Sequence, residues 1–219
     1  MAMLTMITMD LYLRPGEAVG LSTQDIVTPV KSLEQQYHHA GVNLHSSLRA
    51  RPSKTHQFDE SLLLDSPTRP FLTDLLMKLS LQARSRLGTD RLRGWTRPRN
   101  GRLVTFGLRE WRAAWNECLA RLCLPQAHLY VLRHTGASED LLGKQRTLNE
   151  VQKRGRWLAE TSLRRYAKPA AVQQQVNSWP PALVAHLAQC RSEIGRVLLQ
   201  RAPALEPPSL QKLRRWRSV

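Results

Sequence analysis

The spacing of apolar residues changes near Pro70, and this change limits the folds open to the chain. Strand-like segments lie before it, at 25–30, 42–48 and 61–64. The polar stretch between the last two contains Pro52 and is typical of a hairpin turn. After Pro70, apolar residues recur every three or four positions, as on one face of a helix. We therefore predict a mainly α-helical fold with a small antiparallel β-sheet near residues 25–64.

The helices and connecting segments follow from the same periodicity. We expect helices at 3–13, from Pro70, and at 108–122, 128–142, 147–154, 159–167 and about 182–200. The basic, glycine-containing stretch 83–103 is predicted to be a loop. After Lys168 the composition indicates a linker, then the amphipathic helix at 182–200 and a basic, proline-containing disordered tail. The chain is thereby divided into a domain at 1–168 and an appendage at 169–219.

The charge of the chain points to a polyanionic partner. Lys and Arg number 33 and Asp and Glu number 17, which leaves a formal net charge of +16. Such a field attracts nucleic acid and raises the rate of encounter with it. Two other interpretations remain at this point: a basic surface without a specific partner, and a structural role like that of a ribosomal protein.

Cysteine content and hydropathy indicate the compartment. Cys118, Cys123 and Cys190 form no CxxC pair, which favours a reducing environment. We find no signal peptide and no apolar run near the 20 or so residues that cross a bilayer. We expect a soluble intracellular protein without a membrane partner, located in the nucleus if the source is eukaryotic. His38, His39, His45 and His56 match no metal-ligand spacing, so no metal site is predicted.

Several residues suited to phosphate chemistry follow one another along the chain. In order they are Arg14 and Glu17 three residues apart, Lys54 in the predicted hairpin turn, Tyr130, Arg133 and His134 in one short segment, and Trp157 nine residues before Tyr166. Each pattern alone is easily met by chance in an arginine-rich chain. Their order and spacing together are specific.

This set resembles the catalytic domain of the tyrosine recombinase (phage integrase) family. That family has an Arg-x-x-Glu, a hairpin Lys, a His-x-x-Arg-His box, and a His or Trp nine residues before a nucleophilic Tyr. The resemblance covers about residues 3–168. It implies an integrase-like catalytic domain that performs site-specific DNA cleavage and religation, as in DNA recombination or integration. The reaction passes through a 3′-phosphotyrosine intermediate and needs no cofactor.

The resemblance assigns catalytic roles that agree with elementary chemistry. Arg14 and Arg133 would neutralise charge on the non-bridging oxygens of the attacked phosphate, since guanidiniums stay protonated and bind in a fork. Tyr166 would be the nucleophile, and its phenol needs a positive site because its ordinary pKa is about 10. Lys54 would be the general acid for the 5′ oxygen. Trp157 would donate its indole N–H to a phosphate oxygen.

Other residues would support the reaction. Glu17 would hold a neighbouring cationic side chain, and Tyr130 and His134 would flank Arg133. Residues expected to contact DNA phosphates are Arg51, Arg156, Arg164 and Arg165. We expect duplex DNA as the partner. The helix at 182–200 either packs on its own domain or, as the resemblance implies, docks on a neighbouring protomer to form a homo-oligomer on DNA.

Two departures from the family pattern affect the expected activity. Tyr130 stands where the family has His, and Tyr is a weaker proton shuttle near neutral pH. Tyr130 takes the role poorly, His128 reaches in, or activity is reduced. Only thirteen residues precede Arg14, so we expect the N-terminal clamp domain to be missing. The alternative function is therefore a catalytically weakened or inactive DNA-binding descendant of the fold. Type IB topoisomerase-like activity and a generic basic scaffold or RNA-associated role also stay open.

Overall fold

The computed structural model describes residues 1–44, 60–86, 101–122, 124–159, 161, 163 and 169–200. In these ranges the helices are α1 (Ala2–Asp10), α2 (Pro15–Gly20), α3 (Phe71–Arg86), α4 (Leu108–Arg121), α5 (Val131–Leu142), α6 (Leu148–Gly155), α7 (Pro169–Asn177) and α8 (Pro181–Gln200), and the strands are β1 (Ile26–Val27), β2 (Gly41–Leu44) and β3 (Glu60–Leu63). The predicted class, mainly helical with a small antiparallel sheet, is confirmed for these residues.

The sheet has three strands in the order β1-β2-β3, and both pairings are antiparallel. Val42 pairs with Leu62 in β3 and with Ile26 in β1, and all three side chains are buried against the helices. In β3 the buried Leu62 lies between the exposed Ser61 and Leu63, as in a strand with one covered face. The predicted pairing of β2 with β3 is therefore correct. The connection between them at 45–59, which includes Lys54, lies outside the described residues.

Helix α1 lies in the core and packs closely against α5. Its side chains Leu4 and Ile7 are fully buried in the main hydrophobic cluster. A Cβ atom at Gly136 of α5 would overlap the carbonyl oxygen of Met9 in α1. Only glycine permits this approach of two backbones. The contact brings the end of α1 beside the helix that carries Arg133.

A buried network of charges joins the elements around α1. We define the Arg–carboxylate network as Asp10, Asp65, Arg69, Glu139, Asp140, Arg146 and Arg154. Arg69 Nε lies 2.9 Å from Asp10 Oδ1, and Arg154 Nη2 lies 3.1 Å from Asp10 Oδ2. Buried charges are tolerated where each has a partner, and removing one partner is costly. The network therefore fixes α1, α5 and α6 relative to one another.

The C-terminal helix α8 packs on α3 of the same chain, the first of the two arrangements considered for it. A Cβ atom at Gly195 would lie 2.9 Å from the Phe71 ring, which shows how closely the helices meet. Lys78 Nζ donates to the carbonyl oxygen of Leu198 at 3.2 Å. Arg191 of α8 also pairs with Glu139 of α5, at 2.6 Å. Docking on a second protomer remains a prediction.

Two predicted connecting segments differ from the structure. Helix α3 extends to Arg86, into the stretch predicted as a loop from 83, because Ala83 to Arg86 contains no helix breaker. Helix α7 occupies the start of the predicted linker, where Pro169 suits a first turn and alanine and glutamine favour the helix. The rest of that loop (87–100), most of the predicted helix 159–167 and the tail 201–219 lie outside the described residues.

The described helices were compared with the length and hydropathy that a bilayer demands. None within the described ranges is both long and apolar enough to cross a membrane. The same residues contain no group of three or more His, Cys, Asp or Glu side chains placed to hold a metal ion.

Candidate active site

Arg14 is held at the first turn of α2 by Glu17. The backbone N–H of Arg14 donates to Glu17 Oε2 at 2.7 Å, and its guanidinium Nη1 donates to Oε1 at 2.9 Å. Pro15 occupies the first helical position, where its missing N–H is harmless. The Arg14 side chain is 23 % exposed, so its guanidinium is accessible to a ligand from solvent.

Arg133 lies in the first turn of α5 and is 1 % exposed. Its Nη1 donates to the carbonyl oxygen of Tyr12 at 2.8 Å, and its Nη2 contacts the carbonyl oxygen of Gly155. The guanidinium carbon lies 4.7 Å from the centroid of the Trp157 ring, a cation–π distance. Its Nε is buried and has no hydrogen-bond partner among the described residues. No carboxylate in the described ranges pairs with this cation.

Arg156 directly follows α6 and adopts a left-handed backbone conformation, with φ 57° and ψ 41°. Its Nη2 lies 2.7 Å from Glu17 Oε2 and 3.3 Å from the carbonyl oxygen of Tyr12. Its Nε lies 2.9 Å from Glu60 Oε2, at ion-pair distance but without the alignment of a hydrogen bond. The Arg156 side chain is 5 % exposed, and its contact with DNA stays a prediction. It connects Glu17 and Glu60 to the backbone that holds Arg133.

We refer to Arg14, Arg133 and Arg156 as the arginine cluster. Burial and, to a smaller extent, the charges of Arg156 and Arg14 lower the pKa of Arg133 to about 10, against the opposing effect of Tyr130 and Glu17. Burial acts to raise the pKa of Glu17, but Arg156 and the backbone N–H and charge of Arg14 outweigh it and lower that pKa. Burial raises the pKa of Glu60, and the Arg156 charge offsets this only in part. Three guanidiniums thus face two carboxylates, and among the described residues Arg133 forms an ion pair with neither.

Three aromatic side chains, those of Tyr130, His134 and Trp157, lie in a row beside the Arg133 guanidinium. The rings of His134 and Trp157 are stacked with centroids 6.2 Å apart. Tyr130 meets His134 edge to face at 4.9 Å, and its side chain is 41 % exposed. Trp157, packed in this row, covers Arg133 from one side, while Tyr130 lies at its outer end.

The structure brings together the predicted residues that it describes. These are Arg14, Glu17, Tyr130, Arg133, His134, Arg156 and Trp157. The predicted Arg51, Lys54, Arg164, Arg165 and Tyr166 lie outside the described residues. Leu163, three residues before Tyr166, is fully buried in a cluster with Tyr12 and Val151, and Trp157 packs against this cluster. Leu163 is thus anchored in a cluster that also contains Tyr12, next to the arginine cluster.

Three residues of the site were not predicted. Tyr12 and Gly155 contribute carbonyl oxygens that hold guanidiniums, and Glu60 lies beside Arg156. The type of a residue does not indicate whether its carbonyl oxygen will accept a hydrogen bond from an arginine. A signal was available in sequence position, since Tyr12 lies two residues before Arg14 and Gly155 lies one residue before Arg156. Glu60 stands at the end of the predicted hairpin, next to the site in space but distant in sequence.

Comparison of the chain with known proteins gave no match, whether to a family model, a curated protein or a solved structure.

Proposed function

We propose that this chain is a tyrosine recombinase catalytic domain that cuts and rejoins duplex DNA through a 3′-phosphotyrosine at Tyr166. The observation that carries the proposal is the Arg133 guanidinium. It is buried, held by two carbonyl oxygens, and has no carboxylate partner in the described ranges. A buried cation without a counter-charge is costly, and an anion bound nearby compensates it. A phosphodiester supplies such a charge.

The two arginines would have different roles in the proposed reaction, since they differ in exposure. Arg14 is the accessible member of the cluster and would contact a phosphate oxygen directly. Arg133 is 1 % exposed, so its charge would stabilise the phosphate from the protein interior without touching it. Direct contact would require displacing the carbonyl oxygen of Tyr12 or Gly155. Fixed positive charge counts most in a site from which water is excluded. The pair therefore favours the transition state, in which negative charge on the phosphate oxygens increases.

The proposed reaction exchanges one phosphodiester for another. The Tyr166 phenol oxygen attacks phosphorus, and the bond from phosphorus to the 5′ oxygen breaks. Lys54 would protonate the departing 5′ oxygen, while a neighbouring base accepts the phenol proton. Attack by a 5′ hydroxyl on the phosphotyrosine reverses these steps and reseals the strand. Because the covalent bond conserves the energy of the original ester, the scheme requires no nucleotide hydrolysis.

A second candidate is a DNA-binding protein that keeps the site but does not turn over. Tyr130 favours it, since this residue stands at the expected histidine position with a 41 % exposed ring packed edgewise on His134. A phenol there is a poor proton shuttle near neutral pH. This candidate predicts salt-sensitive DNA binding without a covalent product.

The test uses nicked duplex DNA of random sequence, which traps a covalent intermediate because the short cleaved strand diffuses away. Purified parent protein and the Tyr166→Phe variant are incubated with the pool, and denaturing gels are read for a protein–DNA adduct. An adduct with the parent and none with the variant supports the proposal. An adduct that persists in Tyr166→Phe contradicts the assigned nucleophile. DNA binding with no adduct from either protein favours the second candidate.

Oligomer formation on DNA through α8 is part of the same proposal. Light scattering after size-exclusion chromatography, with and without a 40-bp duplex, measures the number of chains per complex. Only one chain per duplex at every protein concentration would contradict it.

A further inference from the structure

We propose that Tyr12 is a positioning residue for the arginine cluster, with its carbonyl oxygen setting the relative placement of Arg133 and Arg156 and its hydroxyl anchoring that carbonyl to the interior. The inference rests on the proposed function in so far as the cluster binds a phosphate. Tyr12 itself is fully buried and would touch no substrate.

The backbone end of Tyr12 lies between two cations. Its carbonyl oxygen accepts from Arg133 Nη1 at 2.8 Å and from Arg156 Nη2 at 3.3 Å. A carbonyl oxygen has two lone pairs and can accept both bonds. Two guanidiniums that would otherwise repel are thereby held at a fixed separation. Movement of this oxygen would therefore alter its hydrogen bonds to both guanidiniums.

The position of the oxygen depends on an uncommon backbone conformation. Tyr12 has φ 48°, in the left-handed region that bulky side chains rarely adopt. Such a conformation persists only where its surroundings enforce it. The residue follows α1 and precedes Arg14, so this turn directs the chain from the core into the site.

Contacts of the Tyr12 side chain hold the backbone in this conformation. Its hydroxyl donates to Asp140 Oδ2 at 2.5 Å, and Asp140 is itself held by Arg146 Nε at 3.0 Å. Burial and the Asp140 charge raise the pKa of Tyr12 well above its ordinary value, so the hydroxyl keeps its proton and remains a donor. The Arg154 guanidinium lies 5.6 Å from the ring centroid and covers another side. Tyr12 thus connects the Arg–carboxylate network to the arginine cluster.

A core aromatic with no further role would also be buried here, so the test must separate positioning from stability. Tyr12→Phe removes the hydroxyl and keeps the ring. Leu79→Val, at a buried residue of α3 that belongs to a different hydrophobic cluster from Tyr12, gives a control for general destabilisation. Tyr37→Phe removes a hydroxyl from a residue that is 50 % exposed. All variants are made in the full chain.

The first measurement is the side-chain Nε–H spectrum of ¹⁵N-arginine-labelled protein, with Arg133 and Arg156 assigned through their Lys variants. Inorganic phosphate is titrated in the same samples. We expect Tyr12→Phe to shift both signals and to weaken phosphate binding by about fivefold or more. We expect the two control variants to leave both signals and the phosphate affinity at the parent values.

The second measurement separates binding from chemistry on nicked DNA. We expect Tyr12→Phe to lower the rate of adduct formation at saturating DNA by about tenfold, while the Kd for DNA changes by about twofold at most. A purely structural role would lower the active fraction and leave the rate per active molecule unchanged.

Each outcome is decisive. Parent-like Arg133 and Arg156 signals in Tyr12→Phe would overturn the assignment, as would equal shifts in Leu79→Val. If the parent forms no adduct, the cleavage proposal fails, and the spectra still decide whether Tyr12 positions the arginines.

Discussion

The Glu17 carboxylate serves two arginines that are far apart in sequence. Oε1 accepts from the Arg14 guanidinium, while Oε2 accepts from the Arg14 backbone N–H and from Arg156. The pKa of Glu17 is lowered because these donors outweigh burial. A carboxylate whose pKa is lower in the folded state stabilises that state at neutral pH.

Glu17→Gln is expected to lower the free energy of unfolding at pH 7 by about 2 kcal/mol, because Arg156 loses a buried partner. The contribution of Glu17 is complete above its unfolded pKa of about 4.3 and is lost as pH falls through the lower folded value. The difference between parent and variant should therefore be constant from about pH 6 to 8 and shrink below about pH 4. Urea denaturation across this range measures it.

Glu117→Gln is the matched control, since Glu117 forms an exposed ion pair with Arg121. Exposed pairs contribute about 0.5 kcal/mol or less. An equal loss in both variants would contradict the role given to Glu17.

Gly155 leaves room for the Trp157 ring. A Cβ atom there would overlap the ring, and the carbonyl oxygen of Gly155 holds Arg133. We expect Gly155→Ala to destabilise the fold by about 3 kcal/mol, because the ring must leave its place over Arg133. Gly16→Ala, where nothing lies within 4 Å, should be neutral or stabilising by up to about 1 kcal/mol. Thermal unfolding of both variants checks this, and a neutral Gly155→Ala would contradict the packing described.

Sequence reasoning singled out residues with charged or aromatic side chains and missed residues that contribute a backbone carbonyl oxygen to the site. Arg14, Glu17, Arg133 and Trp157 were predicted from motifs that resemble those of a known family. In the structure they lie together, and their catalytic roles stay predictions. The role of Tyr12 follows from φ and from a carbonyl direction, neither of which the residue type specifies. An aromatic residue in an apolar segment predicts core packing alone.

Helix α6 is short, and both of its ends are specified locally. Thr147 Oγ1 accepts from the Glu150 backbone N–H at 3.3 Å, and the Glu150 side chain accepts from the Thr147 N–H at 2.7 Å, which forms a capping box. At the other end, Arg156 takes the left-handed conformation in which glycine is normally found. The ion pairs of the Arg156 side chain therefore have to offset the free-energy cost of the left-handed backbone conformation.

Replacing Arg156 by Gly and by Ala separates these two effects. Both variants lose the ion pairs with Glu17 and Glu60, but only alanine retains the left-handed strain. We expect Arg156→Gly to be more stable than Arg156→Ala by about 1 kcal/mol, and both to be less stable than the parent. Urea denaturation at pH 7 measures the order. Equal stability of the two variants would show that the turn relaxes.

At the level of elements, the spacing of apolar residues predicted the long amphipathic helices and the central strand pair. The strand pair of β2 and β3 and the helices α3 to α6 follow from the spacing of apolar residues, with ends shifted by a few residues. Helix α7 was missed because three consecutive glutamines and a nearby Pro-Pro pair have a linker-like composition. Strand β1 has only two residues, and its place at the edge of β2 follows from tertiary pairing.

At the scale of the whole molecule, basic side chains outnumber acidic ones, and in the described ranges several acidic side chains are held by arginines and at least partly buried. Asp10, Asp65, Glu139 and Asp140 belong to the Arg–carboxylate network, and Glu17 and Glu60 to the site. The formal charge of the chain is +16. A polyanion that approaches the protein is attracted by this net positive charge.

We expect affinity for a random 20-bp duplex to fall by about tenfold or more between 50 and 200 mM NaCl, because phosphate contacts release counterions from DNA. Fluorescence anisotropy at a series of salt concentrations gives the slope of log K against log salt. Arg14→Gln, at the accessible arginine of the site, should reduce the slope by about one contact. A flat salt dependence would contradict phosphate binding.

The span of the site along the chain has a consequence for its synthesis. Tyr12, Arg14 and Glu17 leave the ribosome early, whereas Asp140, Gly155 and Arg156 follow more than 120 residues later, as the separation of 128 between Tyr12 and Asp140 shows. Until then Tyr12 has no anchor for its left-handed turn, and Glu17 has only Arg14 as a partner. Contacts of such long range form late, since loop closure must precede them. A nascent chain released before the α6 segment would therefore have a partial core but no arginine cluster, so any DNA affinity of such a fragment would come from its net charge alone.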